Sequence, residues 1–126
     1  MQIKNIVFLI SSILLFSCSD GPVPKPDTLL EQEVMVDILY DTALLQASEA
    51  YLPERLTANG VRIKNYIYLK YDIDSTTYYQ NQRYYASDPK KFKKLYEEVS
   101  ERIDAFKAIT DTLLKKEALK KIDKKK

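Results

Sequence analysis

"LLEQEVMVDILYDTALLQASEAY", Leu29 to Tyr51, is the stretch that decides the fold. Wound at 100° per residue, its apolar side chains cover most of the circumference. Val34, Ile38 and Leu45 take one side, Met35 and Leu39 the next, then Val36, Tyr40 and Ala47. A helix that is apolar nearly all round must be surrounded by other elements. Its main polar arc holds Asp37, Asp41 and Ser48, and Asp27 or Thr28 is the expected N-cap.

The residues beyond Tyr51 supply the wrapping. "YLPERLTANG" breaks the pattern with Pro53 and the Asn59-Gly60 turn signal. A short helix from about Val61 to Tyr71 comes next. In "YDIDSTTYY", Asp74 is placed to cap a third helix, with Ile73 and Tyr78 as its hydrophobic staple. That helix runs to about Ala86. Asp88-Pro89 then reads as an N-cap followed by proline at the first helical position. Beyond it Phe92, Tyr96, Val99, Ile103, Phe106, Thr110 and Leu113 form a heptad stripe, predicting a long last helix with a bend near Thr110 to Thr112. No segment alternates apolar and polar residues between hairpin turns. The expectation is an all-α chain: a four-helix array around a central N-terminal helix, closed by a long C-terminal helix.

The N-terminus "MQIKNIVFLISSILLFSCSD" carries Lys4, an apolar run from Ile6 to Phe16, and Cys18, the single cysteine. A charged start, a short apolar run and a small residue at the exit make a secretory signal. Eleven residues are too few to span a bilayer, which takes roughly 20. "LFSC" matches the bacterial lipobox, so residues 1–17 read as a lipoprotein signal peptide and Cys18 as the lipidated residue. Residues 18–27, with three prolines between Ser19 and Asp27, read as a lipidated cysteine and its stiff tether. Residues 28–107 make the helical domain and 108–126 a lysine-rich helical extension. The expected location is the cell envelope, lipid-anchored, at the periplasmic face of the outer membrane.

Charge divides along the chain. Residues 20–74 carry ten acids and five bases, a net −5; residues 75–126 carry eight acids and fourteen bases, a net +6. Two halves that fold against each other account for this best. A nucleic-acid partner does not fit an exported chain. The tail "LLKKEALKKIDKKK", with seven lysines and two acids, reads as a solvated helix end with its cations at the negative end of the dipole. Its other reading is attraction to anionic lipid.

The chain has no histidine, and its one cysteine is expected to be acylated, so the usual nucleophile, general base and transition-metal ligands are missing. "DIDSTTYYQNQR" starts with calcium-loop spacing at Asp72 and Asp74. It fails at Thr77, where glycine is needed, and at Arg83, where glutamate is needed. No cofactor and no metal are expected. Asp37 and Asp41, one turn apart, have two readings. One is a carboxylate pair for a hard cation or for acid/base work. The preferred one is a buried polar cluster answered by Arg83, Lys70 or Arg62, beside the hydroxyl of Tyr40 or Ser48.

"YYQNQRYYASDP", Tyr78 to Pro89, holds four of the ten tyrosines. Tyr78 and Tyr85 fall about 20° apart with Asn81 between them, while Tyr79 and Tyr84 point about 100° to either side. The four rings cannot share one flat face. With no tryptophan and only Phe92 and Phe106 beyond the leader, tyrosine supplies core and boundary bulk. The competing reading is a partner-binding patch centred on Tyr84 with Arg83, Asn81 and Gln82.

The stretches "VMVDILYDTALLQASEA", "IYLKYDIDSTTYYQNQRYYASDP" and "KKFKKLYEEV" together resemble a family of Bacteroidota lipoproteins known as domain of unknown function 4296, from about Thr28 to Ile103. Its middle block carries Lys-Tyr-Gly-Ile-Asp-Ser where this chain has Asp72 in place of the glycine. The resemblance implies location and a helical fold, with no activity attached. A looser likeness ties "YDIDSTTYYQNQRYY" to helical domains of SurA-type periplasmic chaperones, at the level of fold alone. The functional expectation is a non-enzymatic protein-interaction or scaffold module that meets the membrane through lipid on Cys18 and binds another envelope protein. The alternatives are a chaperone-like binder of unfolded envelope proteins and a carboxylate-dependent enzyme.

Overall fold

A computed structural model of the chain describes residues 22–123; Cys18, the leader and the last three lysines lie outside them. Five helices follow one another: α1 Gln32–Tyr51, α2 Pro53–Ala58, α3 Ile63–Tyr71, α4 Ser75–Ala86 and α5 Pro89–Asp123. No strand occurs among the described residues. The helix absent from the expectation, α2, starts at the proline taken as a breaker: Pro53 sits in its first turn, where a missing N–H costs nothing.

α1 packs against α2, α3 and α5, and α4 against α5. The core joins Met35, Val36 and Ile38 of α1 to Ile67 of α3, Tyr78 and Tyr85 of α4, and Leu95 and Val99 of α5. Each fully buried aliphatic side chain contributes about 1.5–3 kcal/mol of transfer free energy. Burial is concentrated in the first half of α1, and Ala47, Glu49, Ala50 and Tyr51 are exposed. The helix is central at its beginning and peripheral at its end.

α1 begins at Gln32, three residues later than expected, with Glu31 as an N-cap that makes no side-chain bond. Residues 27–30 are held away from the helix by α4. Asn81, fully buried, accepts from Leu30 N–H through Oδ1 (2.9 Å). Its Nδ2 donates to Thr28 O (2.7 Å) and to Thr77 O (2.8 Å). Tyr85 Oη donates to Leu30 O (2.7 Å). Gln80 and Asp27 exchange two further bonds, at 3.1 and 3.3 Å. The segment is therefore a strap laid along α4. Pro26 is buried, and Val23 to Pro26 line a cleft of about 70 Å³ with Gln80 and Arg83. Packing against the domain thus starts within the stretch expected to be a free tether.

Helix ends follow local chemistry. Asp74 Oδ1 accepts from Thr77 N–H at 2.7 Å, which also draws the Asp74 carboxyl below its ordinary range. Asp88 Oδ1 accepts from the N–H groups of Lys90 and Lys91 at the start of α5. α3 ends with Asp72 in the left-handed region, φ 51°, and Ile73 N–H reaching back to Tyr68 O at 3.0 Å. That closure favours glycine, the residue that the resemblance implies at this position. α5 runs without a break in its helix through Thr110 and Thr112, whose hydroxyls donate to Phe106 O and Ala108 O.

The left-handed cap and the strap can each be probed by one substitution. Asp72→Gly relieves left-handed strain and should raise stability by about 0.5–1 kcal/mol, measured by urea unfolding. Asn81→Leu orphans Leu30 N–H and Thr28 O and should lower it by about 2–4 kcal/mol. In the second variant hydrogen exchange at Leu30 should accelerate more than at Ile67. Equal acceleration at both would deny the strap its local role.

Candidate functional site

Asp37 and Asp41 of α1 are each met by a cation. Arg102 of α5 pairs with Asp37 through Nη1 and with Glu98 Oε1 through Nη2 (3.1 Å), and the Asp37 carboxylate above all keeps the guanidinium charged beyond its usual range. Asp41 accepts from Lys70 Nζ and from Tyr71 Oη (2.7 Å). Asp41, chiefly by that hydrogen bond, raises the Lys70 ammonium above its ordinary value. Burial first, then the bond to Asp41, pushes the Tyr71 phenol well above its own.

The expected cluster of Asp37, Asp41 and Arg83 does not form. Arg83 is exposed on α4 beside the strap, Lys70 answers Asp41, and Tyr71 supplies the hydroxyl sought from Tyr40 or Ser48. Arg102 carried a legible signal: on the wheel of α5 it lies about 20° from Leu95, so it turns to the packed side of that helix, and the neighbour it meets there is α1. Among the described residues no group of three or more His, Cys, Asp or Glu side chains is placed to hold a metal.

The four residues proposed around Tyr84 point four ways. Asn81 belongs to the strap and is not available to a partner. Arg83 lines the strap cleft. Tyr84 meets Tyr85 edge-on, ring centroids 5.6 Å apart, and carries Lys91 Nζ 4.7 Å from its ring centre. Gln82 turns inward, donating to Tyr78 Oη at 2.7 Å. Tyr78 lies between Tyr68 and Tyr79 in edge contacts at 5.7 and 5.2 Å, and Lys64 donates to Tyr79 Oη at 2.8 Å. The rings serve as filling and as bridges between helices.

Two concavities lie between helices. One is an open groove of about 810 Å³ between α1, the α2–α3 turn and α4, lined by polar side chains including Gln46, Glu49, Arg62 and Asn65. The other is a notch of about 160 Å³ where α1, α4 and α5 meet. Met35 and Leu39, Gln82 and Tyr85, and Phe92 and Tyr96 contribute in pairs from the three helices, with Leu95 below. Phe92 and Tyr96 stand as its lip, 42% and 48% exposed, with ring centroids 4.5 Å apart. The heptad stripe pointed to these two as core; the fully buried residue is Leu95, outside that stripe.

The phenol of Tyr71 gives a pH signature. In the unfolded chain it loses its proton near pH 10, and in the folded chain it holds it longer. The folded state carries more protons in that window, so stability should fall as pH rises from about 9 to 11. Urea midpoints for Tyr71→Phe should fall less steeply than for the parent. Equal slopes would show that the other tyrosines and the lysines account for the whole effect.

Neither the comparison with curated proteins nor that with solved structures returns a match, so the likeness to SurA-type domains gains no support. One family model does match. It spans residues 26–109, from the buried proline of the strap past the end of the packed part of α5. The chain belongs to the family described as Domain of unknown function (DUF4296).

Proposed function

We propose that this chain is a lipid-anchored, non-catalytic docking module of the bacterial envelope. Acyl chains on Cys18 hold it at the periplasmic face of the outer membrane, and its helical domain binds another envelope protein. The observation that carries this reading is the notch. Its apolar lip stays half exposed beside a filled core, in the way of a surface that receives an anchoring side chain from a partner. The carboxylates that acid/base chemistry would use are instead tied to Arg102, Lys70 and Tyr71. Acyl chains at about 0.8 kcal/mol per buried methylene, several to one cysteine, hold a protein firmly to a bilayer.

The test joins address and contact. In intact cells a photo-crosslinking amino acid at Tyr96 should capture a discrete protein species, and the same probe at exposed Glu54 should not. Cys18→Ser should lose metabolic labelling by an alkyne fatty acid and leave the membrane fraction. Equal capture from both positions, or membrane retention without label, would count against the corresponding half of the proposal.

A further inference from the structure

The phenol of Tyr79 is both exposed and tied to a cation. It is 42% exposed, and its oxygen accepts from the Lys64 ammonium at 2.8 Å, across from α3 to α4. The same ammonium lies 5.6 Å from the centre of the ring. The ring itself meets Tyr78 edge-on, with centroids 5.2 Å apart. Lys64 and Tyr68 of α3 and Tyr78 of α4 are the titratable groups that face this phenol, and Asp74 bears on Tyr68. Lys64 and Tyr78 also line the open groove of about 810 Å³, so the pair borders room for a small molecule.

A hydrogen bond donated to a phenol oxygen, with a positive charge behind it, stabilises the phenolate. The bond from Lys64, and then its charge, draw Tyr79 below its ordinary range. Burial above all pushes Tyr68, Tyr71, Tyr78 and Tyr85 the other way. The bond to Tyr79 in turn holds the Lys64 ammonium above its usual value, so the nitrogen stays protonated and is withheld as a nucleophile. Tyr51 gives the contrast. It is 84% exposed, and among the described residues no cation lies over its ring. Exposure and activation fall on different phenols.

We propose that Tyr79 is a modification site that accepts acyl groups, with Lys64 as the positioning residue that polarises it. The donor belongs to the class of activated acyl compounds, such as an acyl imidazole or an activated ester. The phenol gives its proton to solvent, and the phenolate oxygen attacks the carbonyl carbon of the donor. The new bond is O–C; the bond that breaks joins that carbon to the leaving group. The leaving group departs with the electron pair and takes up a proton from water. The products are an aryl ester on Tyr79 and the protonated leaving group. An ester oxygen is a poorer acceptor than a phenol beside a cation, so acylation loosens the Lys64 bridge between α3 and α4.

N-acetylimidazole tests this on the full chain as the cell makes it, held in nonionic detergent, with acetyl sites mapped by mass spectrometry. Hydroxylamine, which cleaves aryl esters and spares amides, separates tyrosine products from lysine products. At neutral pH Tyr79 should be acetylated at least about threefold faster than Tyr51, although Tyr51 is the more exposed. The Tyr79 rate should also reach half its maximum at a lower pH than the Tyr51 rate. Lys64→Met should cut the Tyr79 rate about threefold and erase that difference in pH, with the Tyr51 rate and the helical circular dichroism unchanged. Lys64→Arg, which keeps the positive charge, should restore most of the rate. Tyr79→Phe should raise amide acetylation at Lys64, since the ammonium loses the acceptor that held its proton. Tyr51 reacting as fast as Tyr79 would overturn the proposal. So would a Tyr79 rate and pH profile that ignore Lys64→Met, or amide on Lys64 forming ahead of ester on Tyr79.

Discussion

One buried amide organises this small domain. Asn81 uses its carbonyl oxygen and one amide hydrogen to hold strap groups that have no helical partner, Leu30 N–H and Thr28 O, and its other amide hydrogen reaches Thr77 O on its own helix. Without it, a backbone stretch would enter the protein with unpaired polar groups, at about 1–3 kcal/mol for each one buried. Tyr78 and Tyr85 pack to either side on the same helix face, so the amide works where water is kept out and its bonds count most. The strap, the start of α1 and the seating of α4 all depend on that residue.

Much of the architecture was legible because it is local. The all-α class came from the girdle of apolar residues on α1, and the caps Asp74 and Asp88 act at the positions their neighbours in sequence indicated. The hidden part depends on residues far apart in sequence. Leu29 and Leu30 look like the first turn of a helix, and only a bond to a residue 51 positions away makes them a strap. The stripe on α5 includes Phe92 and Tyr96 and leaves out Leu95 beside it; the placement of the neighbouring helices decides that Leu95 is the one covered. The cation for Asp37 was likewise set by which helix neighbours α1, which periodicity cannot state.

The candidate site shows the same division. Tyrosine as packing material was readable from a helical wheel and the lack of tryptophan, and the edge-to-face contacts agree with it. The notch was not readable, since it is made by the meeting of three helices. Gln82 alone of the residues singled out around Tyr84 lines it.

The strap also sets a leash. From Cys18 to Val23 is five residues, at most about 18 Å of fully stretched chain. A lipidated Cys18 would therefore keep the strap side of α4 within the depth of a headgroup layer or two, allowing little swing. The part of α5 beyond Ile103, twenty residues at 1.5 Å each, is about 30 Å long and exceeds that leash. With Cys18 lipidated, so short a mooring would leave this arm two postures, lying flat along the bilayer or standing off it.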